Sequence, residues 1–174
     1  MHYFALSFLL VLSGFGNSAA AQQTSSSVGS SDHTDAIAYR TLFRRAVLYK
    51  KLADEADASH TPKPQLRRIL ATRYGLNDSD SATLLRLALA YQAEIAPIHQ
   101  QITDAVRTFQ ARFPSGIIPR GADSSPPPEL RKLQDQEDAV TLRYRDLLRT
   151  SMREEDFQKA NAKIRENFGK PLAH

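Results

Sequence analysis

The stretch SATLLRLALAYQAEIAPIHQQITDAVRTFQARF, residues 81–113, decides the fold. Leu84, Ala88, Tyr91, Ile95, Ile98, Ile102, Ala105 and Phe109 follow one another at alternating steps of four and three. That rhythm returns an apolar side chain to one face every 3.5 residues, so it predicts a helix with a sustained seam. At 1.5 Å per residue the element would run roughly 50 Å. A helix of that length sets the shape of so small a protein, either as the spine of an elongated bundle or as a surface for a partner.

Upstream, Asn77 followed by Asp80 reads as a capping pair with Asp in place of the usual Glu, and Asp78 adds favourable charge at the positive helix end. Asn77-Asp78-Ser79 also matches a glycosylation sequon, which at a helix cap is read as coincidence. Within the stretch, Pro97 removes the hydrogen bond to the Ala93 carbonyl and predicts a bend. Glu94 and His99 flank it, five residues apart, about 140° around a helix. Metal or acid–base pairs on one helix want spacings of three or four, so these two are a poor pair. Each is expected to meet a different neighbouring helix.

The remaining patterns are also helical. A first helix is predicted from Asp32 to Ala58, with Tyr39, Leu42, Ala46, Tyr49, Ala53 and Ala56 as its core stripe. Opposite runs a second line, Ile37, Arg40, Arg44, Leu48 and Lys51, apolar and basic together. It reads as a face for an acidic or amphipathic partner, an unfolded segment or an anionic membrane surface. The alternative is that Ile37 and Leu48 pack on another helix while the basic stems cover the edges. Thr61 and Pro62 read as the cap and first turn of a short second helix carrying Leu66, Ile69, Leu70 and Tyr74, which Gly75 stops.

Residues 114–128, PSGIIPRGADSSPPP, form a Pro/Gly/Ser loop in which Ile117 and Ile118 are expected to tuck back onto the bundle. Pro126-Pro127-Pro128 leads stiffly into a fourth helix, Glu129 to Thr150, with a seam of Leu130, Leu133, Val140, Tyr144 and Leu147. Glu137 sits where that seam expects an apolar residue, and is read as snorkelling or pairing with an arginine such as Arg107. Ser151-Met152-Arg153-Glu154 reads as a capping box opening a fifth helix, with Phe157, Ala160, Ile164 and Phe168 as its stripe. The fold class is therefore all-α: about five helices in an elongated bundle around one long, Pro-kinked central helix.

The N-terminus, MHYFALSFLLVLSGFGNSAAAQQ, has an apolar run, two breaking glycines and small residues before a cut. Residues 1–21 are read as a secretory signal, too short to span a membrane. Residues 22–31 read as a flexible Ser-rich tether, leaving 32–174 as a single helical domain. The expected location is exported, periplasmic or secreted. No cysteine is present, so disulfides, thiolate chemistry and lipid attachment through cysteine are excluded. The net charge of +4 is spread among interleaved acids and bases, so nucleic acid is not the expected partner. There is no Gly-x-Ser-x-Gly, no phosphate-binding glycine loop and no Cys/His framework, so no catalytic, cofactor or metal residues are assigned. His33 and His60 stand at helix edges and His174 is last, with no ligand spacing among them.

The segments AIAYRTLFRRAVLYKKLAD, GLNDSDSATLLRLA, ARFPSGIIPRG with PPPELRKLQDQ, and RDLLRTSMREEDFQKANAKIRENF resemble a group of exported bacterial helical proteins. The resemblance covers nearly the whole chain after the leader, and it carries no site residues. More loosely, the layout is similar to the Spy/CpxP-type periplasmic chaperones, helical proteins with Leu-Thr-x-x-Gln motifs at helix starts that form dimeric cradles for unfolded proteins. Leu76-Asn77-Asp78-Ser79-Asp80 stands in the matching place, with Asn for Thr and Asp for Gln. What this implies is a non-enzymatic protein binding other proteins or peptides in the cell envelope, as a chaperone or stress-sensor accessory, with a homodimer among its assemblies. The alternatives are a structural or membrane-adhering protein and, behind it, an enzyme whose site would gather Glu94, His99 or Glu137 between helices.

Overall fold

A computed structural model describes residues 26–113, 125 and 127–168, with side-chain environments from residue 32 onward. The described residues form five helices and no strand: α1 (Ser26–Ala58), α2 (Pro64–Tyr74), α3 (Asp78–Ala111), α4 (Pro128–Thr150) and α5 (Glu154–Phe168). The all-α bundle expected from the periodicity is the fold. The predicted signal, residues 22–25 of the tether, and Ile117 and Ile118 lie outside the described residues.

The 34 residues of α3 run unbroken through Pro97, and α3 packs mainly on α4 and α1. Its start is built as the sequence suggested. The Asp80 amide donates to Asn77 Oδ1 at 2.8 Å, and the Asn77 side-chain amide donates to Asp80 Oδ2 at 2.7 Å. Two aromatic residues of the core meet a third across three helices. The Phe43 ring lies 5.0 Å from Tyr91 and 6.3 Å from Tyr144, and Tyr91 meets Tyr144 edge-on at 5.6 Å. Leu42, Leu84, Leu87, Ile95, Leu148, Phe157 and Ile164 close around this triangle.

Several boundaries differ from expectation. α1 begins at Ser26, six residues before Asp32, so 26–31 are helix instead of tether. Adding turns to an existing helix needs no new nucleus, and the part of α1 that buries Asp35, Ala36, Ala38, Tyr39, Leu42 and Phe43 supplies one. Pro64, not Pro62, occupies the first turn of α2, and Lys63 at the cap makes no side-chain bond. Thr61 instead closes α1. Its amide donates to the Ala56 carbonyl at 2.9 Å, five residues back, while His60 takes φ 53°. Ser151 likewise finishes α4, its hydroxyl donating to the Leu147 carbonyl at 2.7 Å, so the Ser151–Glu154 box does not open α5. On α4 the seam runs Leu133, Glu137, Thr141, Tyr144 and Leu148, with Val140 half-buried and Leu147 exposed.

Gly75 stops α2 in the left-handed region at φ 69°. A Cβ there would lie 2.9 Å from the Lys163 Nζ, the movable end of a side chain. Gly75→Ala is therefore expected to cost about 1–2 kcal/mol, from backbone strain more than from the contact. Thermal unfolding of the variant reads that cost directly.

Candidate functional site

Glu137 is 4% exposed and is the charged group around which three helices meet. Its Oε1 accepts from His99 Nε2 of α3 at 2.9 Å and from Arg44 Nη2 of α1 at 3.4 Å. Arg40 Nε stands 3.2 Å from the same oxygen, close enough for charge attraction, although that N–H is not aligned to donate and has no hydrogen-bond partner. The Arg40 Nη2 instead donates to Asp138, the next residue of α4, which also bonds His33 Nδ1 at 2.7 Å. Adjacent carboxylates on α4 thus gather two histidines and two arginines from α1 and α3. Beneath them the Thr141 hydroxyl donates to the Glu137 carbonyl at 2.7 Å and lies 3.0 Å from the Tyr91 hydroxyl.

The electrostatics of Glu137 are a contest with a clear winner. Burial pushes its carboxyl up, but the His99 hydrogen bond and the charges of Arg40 and Arg44 outweigh burial, and the group titrates below the ordinary glutamate range. The carboxylate is held ionised, which suits a structural counter-ion better than a proton donor. His99 Nε2 also lies 3.1 Å from Arg44 Nη2, so one ring nitrogen faces both a carboxylate and a guanidinium.

A second cluster on the same turns of α1 ties that helix to α4 and α5. Buried Asp35 accepts from Arg145 of α4 at 3.1 Å and from Arg165 of α5 at 2.5 Å. One turn on, the Tyr39 hydroxyl donates to Asn161 Oδ1 at 2.7 Å. Burial, helped by Asp35, raises the Tyr39 phenol far above its usual range.

These contacts settle where the singled-out residues stand. Glu94 binds Arg143 and accepts from the Tyr144 hydroxyl at 3.0 Å, and the Arg143 hydrogen bond lowers its titration. Glu94 and His99 therefore do not go to different helices. Both meet α4, at residues six and seven apart, and His99 adds α1. The pair does stay apart, but His99 and Glu137 come within hydrogen-bond reach. Arg107 is not the partner of Glu137; it pairs with Asp104 one turn away.

The second line on α1 divides. Arg40 and Arg44 turn into the Glu137 cluster, whereas Ile37, Leu48 and Lys51 remain exposed. The apolar half of the packing alternative fails, because Ile37 and Leu48 are exposed; of the arginines, Arg40 is largely buried and Arg44 reaches Glu137 from an exposed position at the edge. Leu52 and Leu89 are exposed as well. A shallow groove of about 420 Å³ between α1 and α3 is lined by Val47, Lys50, Lys51, Asp54, Glu55, Ala58 and Leu89.

Comparison with protein-family models, with curated proteins and with solved structures finds no match. Any functional reading therefore rests on these side chains. Sequence reasoning missed Asp35, Asp138 and Thr141. Asp138 and Asp35 carry no signal beyond lying beside core positions, but Thr141, four residues after Glu137, continues the α4 stripe.

Proposed function

We propose that this is an exported, non-enzymatic helical protein that binds other proteins or peptides of the cell envelope through the outer face of α1, in the manner of a chaperone or a stress-sensor accessory. One observation carries the reading: large apolar side chains stand uncovered beside a cation on that face. Leu48 is 49% exposed and Ile37 42% exposed, with Leu52 on the same helix and Leu89 across the groove by Lys51. Scattered surface leucines need no explanation, but several on one helical face beside a groove fit an amphipathic partner segment. The Glu137 cluster supports the non-enzymatic side of the reading, because a carboxylate kept ionised by three cationic or hydrogen-bonding neighbours is a weak base and no acid near neutral pH.

The test is aggregation of a reduced, unfolded client protein at near-stoichiometric ratio. The wild-type chain is expected to suppress light scattering, and Leu48→Glu with Leu52→Glu is expected to abolish most of that suppression while circular dichroism and melting stay close to wild type. Suppression by the double variant at wild-type strength would remove the α1 face from the proposal, and no suppression by the wild type would sink the chaperone version.

A further inference from the structure

The cations of this protein are not evenly paired. On α1, α3 and α4, Arg40, Arg44, Lys50, Arg107, Arg143, Arg145 and Arg149 each find a carboxylate, and half-buried Arg45 lies over the Phe168 ring. Residues 59–76, which hold α2 and its flanks, contain Lys63, Arg67, Arg68, Arg73 and His60, and no Asp or Glu. Arg67 is committed to Asp54 and Asp57 of α1. Lys63, Arg68 and Arg73 meet no carboxylate within ion-pair distance among the described residues, and the Nζ of Lys163 on α5 comes up beside Gly75 at the end of the same helix.

α2 is also the least embedded helix. Tyr74 is its one buried residue, while Leu66, Ile69 and Leu70 are only half-buried. Under it, between α1, α2 and α3, opens a cleft of about 340 Å³. The floor is apolar, with Leu66, Leu70, Leu84 and Leu85; at its walls stand Asp78, Lys50 and Arg67 (both cations paired with acids of α1), and Arg68, which has no such pair among the described residues. An acid-free helix with half-exposed leucines and unpaired arginines has the chemistry of an element that lies on an anionic interface.

We propose that α2 is a membrane-contact element: its unpaired cations sit on an anionic phospholipid surface, with its half-buried apolar side chains and the cleft beneath taking up acyl-chain contact. No described helix is long and apolar enough to cross a membrane, so the contact is peripheral. This moves the basic–apolar surface from α1, where Arg40 and Arg44 are paired with Asp138 and Glu137, to α2. The choice of a lipid over an acidic protein follows from the cleft, because charge alone would serve either partner but an apolar slot among the cations favours a molecule with an anionic head and a hydrocarbon body.

The experiment is co-sedimentation of the full chain with vesicles of pure phosphatidylcholine and of phosphatidylcholine containing about a third phosphatidylglycerol. The wild type is expected to bind the anionic vesicles and to lose that binding as salt rises. Each cation near such a surface is worth about a fivefold change in partition, so Arg68→Gln with Arg73→Gln is expected to weaken binding by about 30-fold. Arg131→Gln with Lys132→Gln, the same charge change on exposed positions of α4, is the control and is expected to change it by less than about threefold. Equal loss in both pairs means net charge alone drives binding, and wild-type binding in the α2 pair places the contact in another segment such as the apolar leader; either outcome overturns the proposal. So does binding to a soluble polyglutamate that vesicles cannot displace.

Discussion

Replacing Glu137 by glutamine is expected to destabilise the protein by about 3 kcal/mol near neutral pH, at the lower edge of what removing one partner of a buried ion cluster costs. The side chain keeps its shape, so no cavity confounds the result. What is lost is the charge that His99, Arg40 and Arg44 all address at one oxygen. Arg40 retains Asp138, and Arg44 and His99 are part-exposed, which is why the cost stays below the extreme. The pH dependence gives the test its sign. The folded Glu137 titrates below its ordinary value of 4.5, so its contribution is fully present above that pH and is lost as pH falls through the depressed folded value. Urea denaturation of wild type and variant should therefore show a gap that is constant from about pH 6 to 7, starts to narrow only below the ordinary value of 4.5, and closes as pH falls through the depressed folded value. A gap that persists unchanged into acid would mean that packing, not charge, makes Glu137 matter.

The cluster was half-visible in the sequence, and the reason is geometric. Periodicity marks which residues share a face, so the α3 seam, the Asn77 cap and the odd position of Glu137 could all be read from one chain segment at a time. Which cations reach Glu137 depends on how α1 and α4 cross α3, and no spacing within a helix carries that. Arg107 stands beside the α3 seam, whereas Arg40 and Arg44 come from residues more than ninety positions before Glu137. The same limit explains the α1 surface. Ile37, Arg40, Arg44, Leu48 and Lys51 lie along one line of the helix, but only Arg40 and Arg44 reach the carboxylates of α4. Arg40 is drawn inward, Arg44 bonds Glu137 from an exposed position, and the other three stand in solvent. Boundaries failed where one short motif had two physical meanings. Ser151 can start a helix or finish one, and its hydroxyl is used by the carbonyl behind it.

Phe43→Ala should be the most damaging single truncation in the core, at about 3–5 kcal/mol. Phe43 is fully buried, and its ring touches Tyr39, Tyr91 and Tyr144 at once. Leucines at the rim of the bundle lack that position between three helices. The loss has two parts: the transfer of an aromatic side chain, and a cavity that cannot collapse. The cavity persists because its walls are anchored by polar bonds at their far ends. Tyr91 is tied to Thr141, Tyr144 to Glu94 and Tyr39 to Asn161, so moving any ring inward breaks a hydrogen bond of a buried or half-buried hydroxyl. For a protein of this size each kcal/mol shifts the melting midpoint by about 2–4 °C, and a fall on the order of 10 °C is expected in a thermal scan. Phe43→Leu, which keeps most of the volume, should recover more than half of the loss. If alanine and leucine cost the same, the aromatic contacts themselves hold the three helices together, and the cavity explanation fails.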